Sequence, residues 1–102
     1  MKFKSNFRTY DLAVAFYHAV AKQPLPSHLR SQLLRAASSV PLNLKEGAAM
    51  PTLADRQKFY YIAMGSFREC QAVLDLTCNQ ELDKQAYILG AHLYKLCMSA
   101  GR

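Results

Sequence analysis

The sequence predicts an all-α protein, an up-down-up-down antiparallel four-helix bundle. Apolar residues recur three or four positions apart through four segments of the chain, which is the spacing of one helix face. Short stretches containing Pro, Gly or Asn separate these segments, and short connections place consecutive helices side by side in opposite directions. The 102 residues are expected to form one domain. The predicted helices span residues 7–22, 27–46, 52–78 and 83–100.

The first two helices are separated by Pro24-Leu25-Pro26. A residue that precedes proline disfavours helix, so the connection is predicted here, and Ser27 is expected to cap the second helix. Within the second helix, Pro41 is predicted to cause a kink and to leave the carbonyl of Ala37 without its usual donor. Gly47 is predicted to end this helix in the left-handed conformation. The apolar stripe of the second helix comprises Leu29, Leu33, Ala36, Ala37, Val40 and Leu44.

The third helix is predicted to begin after Thr52, an N-cap residue that has Asp55 three positions later. Its apolar arc is wide, which predicts either a central position in the bundle or a second face buried against another subunit. Gly65 and Ser66 lie in mid-helix, where they allow close approach of another helix or are a tolerated weak point. The arc comprises Leu53, Phe59, Tyr60, Ile62, Ala63, Phe67, Cys70, Val73, Leu74, Leu76 and Cys78.

The fourth helix is predicted to begin with Asp83 as its N-cap. Leu89 and Leu93 lie on its inner face together with Ala86 and Leu96. Three larger side chains on the same helix are expected to point outward, namely Tyr87, Tyr94 and Lys95.

The chain is basic, with 13 Lys and Arg against 7 Asp and Glu and a net charge of +6. This charge favours an acidic partner such as RNA, DNA or an anionic membrane surface, although mildly basic proteins without such partners are common. The three cysteines have no disulfide-framework spacing, so reduced thiols and a cytoplasmic location are expected. We find no signal peptide and no segment near the roughly 18 apolar residues that would span a membrane.

No pattern of catalytic residues is found. The three histidines lack partners at metal-ligand spacing, no glycine-rich phosphate loop occurs, and the few carboxylates form no acid–base pair. We therefore expect no catalytic residues, no metal or cofactor site and no enzymatic activity.

One side of the second helix is polar and is either a solvated face or part of a hydrogen-bonded network. In an antiparallel hairpin, facing residue numbers should sum to about 100. This register predicts an ion pair between Arg35 and Glu69, and a contact of Glu46 with Arg56 or Lys58. The predicted network comprises Arg35, Ser39, Asn43, Glu46, Ser66 and Glu69.

The run QLLRAASSVPLNLKEG, followed after a short gap by FYYIAMGSFRECQAVL, resembles a known family. These are the small four-helix-bundle proteins encoded in intervening sequences of bacterial 23S ribosomal RNA genes. The matching positions are Arg35, Ala36, Ser39, Pro41, Asn43, Glu46, Gly47, Ile62, Ala63, Gly65, Ser66 and Glu69.

The resemblance implies a four-helix bundle assembled as a cyclic homopentamer, and binding to RNA or to the nucleic acid of its own locus. A related branch serves as an accessory protein to the reverse transcriptase of diversity-generating retroelements, so an oligomeric scaffold for a protein partner is the alternative. Without a helix-turn-helix or RNA-recognition signature, we expect little sequence readout. Tyr61 and Tyr94 are candidates for base stacking or for packing at a helix edge. The candidate nucleic-acid contacts are Lys2, Lys4, Arg8, Arg30, Lys45, Lys58 and Arg68.

Overall fold

The structure, a computed structural model, describes residues 7–77 and 79–99. It contains four helices, α1 (Arg8–Ala21), α2 (Ser27–Ala48), α3 (Leu53–Leu76) and α4 (Asp83–Ser99). Each helix packs against two others in the ring order α1, α2, α3, α4, and the interface between α2 and α3 is the most extensive. The predicted all-α four-helix bundle is confirmed. We call the end at which α1 and α3 begin and α2 and α4 end the upper end, and the opposite end the lower end.

The turn between α2 and α3 differs from the prediction at Gly47. Helix α2 continues to Ala48, and its C-cap, Ala49, has an ordinary right-handed φ of −86°. Gly47 lies inside the helix and is buried, and a Cβ atom on it would lie 2.7 Å from Cε1 of Tyr60 and 3.1 Å from Cβ of Phe59. Glycine is therefore needed here because α3 crosses close to α2, and not because the chain turns.

Of the three predicted N-caps, the one at the start of α3 is confirmed, and those at the starts of α2 and α4 differ from the prediction. Oγ1 of Thr52 accepts a hydrogen bond of 3.1 Å from the amide of Asp55, as predicted. At α2 the N-cap is Pro26, whose carbonyl accepts from Arg30, and Ser27 is already helical, so its prediction as the cap is wrong. At α4, Asp83 is the first helical residue, and the preceding carbonyl accepts from the amide of Ala86. Cys78 and Ala100, the predicted last residues of α3 and α4, lie outside the described residues.

The core contains side chains from all four helices. Phe16 of α1 and Phe67 of α3 meet edge to face across its centre, with ring centroids 5.8 Å apart. The predicted inner face of α4 is buried at Ala86, Leu89 and Leu93, and Leu96 packs partly buried against it. Burial of one such large side chain contributes about 1.5–3 kcal/mol. The stripe of α2 is buried at Leu33, Ala36, Ala37, Val40 and Leu44, while Leu29 is partly buried.

The wide apolar arc of α3 predicted either a central position in the bundle or a second face buried against another subunit. The central position is wrong. Helix α3 contacts α2 and α4 as neighbours, as every helix of the ring contacts two others. Leu53 is exposed because it lies in the first turn, beyond the end of the core, and Ile62 and Leu76 are also exposed. Gly65 has open space around its Cβ position, so none of the described helices of the same chain approaches it. One chain alone therefore leaves apolar surface of α3 in water.

Candidate nucleic-acid interface

Three of the predicted basic contacts, Arg8, Lys45 and Lys58, are exposed and share the upper end. Arg8 is the first residue of α1, and Lys45 lies in the last turn of α2 with Nζ 4.3 Å from the ring centroid of Tyr10. The rings of Phe7 and Tyr60, 6.2 Å apart, bring the start of α1 to the start of α3. Lys58 lies two residues before Tyr60 in the same part of α3. The fold thus groups cations that are up to 50 residues apart in sequence.

Over the residues that the structure describes, the upper end carries the larger part of the positive balance. Residues 7–14, 41–60 and 91–99 contain five basic and three acidic residues, a balance of +2. Lys2 and Lys4, two further predicted contacts, lie outside the described residues. The remaining described residues contain five basic and four acidic residues, a balance of +1.

Arg30 has a structural role at the lower end. Its Nη1 donates to the carbonyl of Gln23 at 2.7 Å, and its Nη2 donates to the carbonyl of Ala21 at 2.6 Å. These carbonyls belong to the end of α1, where helical partners are missing. Because both terminal nitrogens of the half-buried guanidinium are already engaged, Arg30 is poorly placed to bind a phosphate.

Arg68 is exposed but lies apart from the upper end. It lines a groove between α3 and α4 that also contains Tyr87 and Tyr94. The outward orientation predicted for these two tyrosines is confirmed, since both are exposed.

The polar network forms in part. The hydroxyls of Ser39 and Ser66 lie 2.8 Å apart, and Nδ2 of Asn43 donates to both Oγ and the carbonyl of Ser39, each at 2.9 Å. Glu69 accepts a bond of 3.2 Å from Nε2 of Gln32. These contacts join the middle of α2 to the middle of α3.

Within residues 7–77 and 79–99, the predicted ion pair of Arg35 with Glu69 is not formed, and Glu46 makes no ion pair with either predicted partner, Arg56 or Lys58. Arg35 and Glu69 are both exposed, and Glu69 is bonded to Gln32 instead. Arg56 donates through Nε to the carbonyl of Met50 at 2.9 Å and so closes the α2–α3 turn, rather than contacting Glu46. Exposed charges gain only about 0–1 kcal/mol by pairing, so such alternatives readily prevail.

The two described thiols, Cys70 and Cys97, are buried and lack the features of a reactive cysteine. Burial raises the pKa of Cys70 to about 12, with the carboxylate of Glu69 adding to the effect. Burial also raises the pKa of Cys97, whose Sγ donates to the carbonyl of Tyr60 at 3.4 Å. A reactive cysteine needs a lowered pKa and access to solvent. In the described part of the chain, no group of three His, Cys, Asp or Glu residues is placed to hold a metal ion.

Sequence reasoning missed Arg56 and Lys95 as residues of the upper end. The available signal was topology, because in an up-down bundle the starts of α1 and α3 share one end with the ends of α2 and α4. Reading the charges by helix end, rather than along the chain, would have grouped them.

The fold and its charge define a small basic helical-bundle protein in which hydrogen bonds of Ser39, Asn43 and Ser66 join α2 to α3. The sequence profile of the family described as 23S rRNA-intervening sequence protein matches residues 4–96. The chain therefore belongs to this family. No curated protein matches the chain. None of the helices, within the residues that the structure describes, is long and apolar enough to cross a membrane.

Proposed function

We propose that this protein is a non-enzymatic, cytoplasmic, self-associating bundle that binds RNA or other nucleic acid through its upper end, with little sequence readout. The observation that carries the proposal is the grouping of three exposed cations, Arg8, Lys45 and Lys58, at this end. Membership in a family named after an rRNA intervening sequence supports RNA as the partner. The two buried free thiols, Cys70 and Cys97, are consistent with a reducing compartment.

The chemistry of the upper end suits phosphate more than bases. Lysine and arginine side chains at helix ends reach phosphate oxygens and release the counterions condensed on the nucleic acid. Contacts of this kind position a nucleic acid and carry no sequence information. We therefore expect binding that depends strongly on salt and weakly on sequence.

Self-association into a cyclic homo-oligomer, with five copies as the number implied by the family resemblance, is part of the proposal. A ring needs two different complementary patches on each copy. Leu42 on α2 and Leu76 on α3 are 68 % and 73 % exposed, and both lie on outward sides of the bundle. Five copies would carry a net charge of 5 × 6 = +30, which would strengthen phosphate binding.

A scaffold for a protein partner, such as a reverse transcriptase, is the second candidate. The same exposed apolar side chains support it, because they would suit a different protein as well as another copy of the chain.

The test is binding of the purified protein, with its mass measured by light scattering, to labelled structured RNA and to duplex DNA across a salt series. The proposal expects log affinity to fall linearly with log salt, by about 0.7–0.9 for each phosphate neutralised. It also expects a mass several times that of one chain. Absence of binding at 50 mM salt would contradict the nucleic-acid function and favour the scaffold, whose partner would then be sought by co-purification.

A further inference from the structure

The outer groove between α3 and α4 presents aromatic rings to solvent. Tyr87 and Tyr94 on α4 are 78 % and 58 % exposed, and both line the groove. They are seven residues apart, so they lie on one side of α4 and about 10 Å apart along its axis. Both tyrosines leave most of their surface in water.

The groove stays open because small residues lie between the tyrosines. Gly90 and Ala91 occupy the intervening turn of α4. A Cβ atom at Gly90 would lie 3.0 Å from Cε2 of Phe67, so α4 sits directly on this ring and the floor of the groove is apolar. The result is an open groove bounded along α4 by two aromatic side chains.

The charge of the groove suits a phosphate strand. Arg68 is the charged side chain among the residues that line this part of the groove, and Gln71 adds an amide. A guanidinium can stack on a base and bond to phosphate at the same time. Beyond Tyr87 the groove continues between Asp75 and Asp83, whose carboxylates would repel phosphate. The favourable segment therefore runs from Tyr87 towards Tyr94 and the upper end.

Tyr61 continues this surface upward. It precedes Arg68 by seven residues, or two helical turns, and is also exposed, so it lies on the same side of α3.

We propose that this groove binds a short single-stranded segment of nucleic acid, with bases stacked on Tyr87 and Tyr94 and a phosphate held by Arg68. The inference rests on the proposed nucleic-acid function and adds a second, stacking contact to the phosphate contacts of the upper end. The distance between the two tyrosines corresponds to about three base steps of roughly 3.4 Å. Stacking tolerates any base, in agreement with weak sequence readout.

A second copy of the chain is the competing occupant, because Tyr87, Ala91, Tyr94 and Met98 form one exposed stripe at helical spacing. The polar and cationic lining favours the nucleic acid. A subunit contact at this stripe would bury the Arg68 guanidinium without a carboxylate among the residues that line this part of the groove.

The experiment compares a fluorescein-labelled 12-nucleotide oligouridylate with a 12-base-pair RNA duplex, by anisotropy at 50 mM salt. The test variant is Tyr87→Leu with Tyr94→Leu, which removes the rings and keeps apolar bulk, and the control is Tyr87→Phe with Tyr94→Phe. Stacking predicts that the leucine variant binds the oligouridylate at least tenfold more weakly and that the phenylalanine variant keeps wild-type affinity. Duplex affinity should change less than twofold. Circular dichroism confirms that each variant is folded.

Equal oligouridylate affinity for the wild type and the leucine variant would overturn the inference, and so would a loss accompanied by a change of oligomer mass, which would assign the stripe to a subunit contact. Failure of the stacking site can be distinguished from failure of the proposed nucleic-acid function. If the wild type binds neither probe, the proposed function fails. If it binds the duplex and the oligouridylate without any contribution from the tyrosine rings, the stacking site alone fails.

Discussion

The hydroxyl groups of Ser39 and Ser66 lie 2.8 Å apart and form a hydrogen bond between the middle of α2 and the middle of α3. Ser39 also accepts a bond from Asn43, one turn further along α2. These residues lie beside the apolar stripes and fix how the two helices slide against each other. The stripes alone would allow several registers, because apolar contacts are not directional.

Replacing Ser39 or Ser66 with alanine should each destabilise the fold by about 0.5–1.5 kcal/mol, because one half-buried hydrogen bond is lost. Since both variants break the same bond, the double variant should cost less than the sum. Urea denaturation measures the three differences. Ser38→Ala is the matched control, since the bond that Oγ of Ser38 donates to the carbonyl of Arg35 lies within one helix. Strict additivity of the two substitutions would contradict the coupling.

Two glycines within helices should respond oppositely to alanine. At Gly47 the new methyl group would lie 2.7 Å from the buried ring of Tyr60, and we expect a net loss of about 1–3 kcal/mol despite better helix propensity. At Gly65 the methyl group meets nothing within 4 Å, so the fold should gain about 0.5–1 kcal/mol. Thermal denaturation of both variants provides the comparison. A destabilised Gly65→Ala protein with reduced mass would instead show that a second copy packs at this position.

Removing the Thr52 hydroxyl should weaken the start of α3. Thr52→Ala eliminates the bond to the amide of Asp55 and should cost about 1 kcal/mol. Ser27→Ala at the start of α2 is the control, because no side-chain bond caps that helix, and its effect should stay below about 0.5 kcal/mol. If chemical denaturation gave the same loss of unfolding free energy for both variants, the different roles of the two residues would be contradicted.

Stability should decline at alkaline pH because of the buried thiols. The folded state raises the pKa of Cys70 to about 12 from an ordinary value of 9.0, so between these values the folded chain keeps a proton that the unfolded chain loses. Stability is therefore full below pH 9 and falls as pH rises towards 12, by at most about 1.4 kcal/mol per pH unit for this group. Cys97 and Tyr60, whose pKa values burial also raises, act in the same direction.

The measurement for this prediction is the free energy of unfolding from pH 8 to pH 11, in the wild type and in Cys70→Ala. The variant should show a shallower decline, because Cys97 and Tyr60 remain. Identical slopes would show that Cys70 does not contribute.

The helices and the core were predictable because each depends on local sequence. The spacing of Leu33, Val40 and Leu44 follows from the helix period, and the Thr52 cap depends on residues three positions apart. Features that depend on the distance between helices were not predictable in the same way. From sequence alone, Gly47 could be either a turn residue or a residue at a close helix contact. The position of the Tyr60 ring decides for the close contact.

In the candidate interface, too, local features were predictable from sequence and contacts between helices were not. Sequence identifies the basic residues but not which of them are already bonded, and Arg30 is bonded to two carbonyls of α1 from a position seven and nine residues later. The pairing of Arg35 with Glu69 failed because exposed charges have several partners of nearly equal energy, including water. The grouping of Arg8 with Lys45 required the bundle topology.

The most direct test of the central claim compares two variants of equal net charge. One carries Arg8→Gln, Lys45→Gln and Lys58→Gln at the upper end. The other replaces Lys22, Arg35 and Lys84 with glutamine, three exposed cations that lie away from the upper end. Each variant loses three charges from +6 and retains +3. If net charge alone drives binding, the two variants must bind RNA equally.

The account predicts that the upper-end variant loses at least tenfold more affinity for structured RNA than the control at 100 mM salt. It also predicts that the salt slope of the upper-end variant falls by about one to three, since each phosphate contact contributes about 0.7–0.9. Equal affinities and equal slopes would contradict the upper end as the nucleic-acid interface.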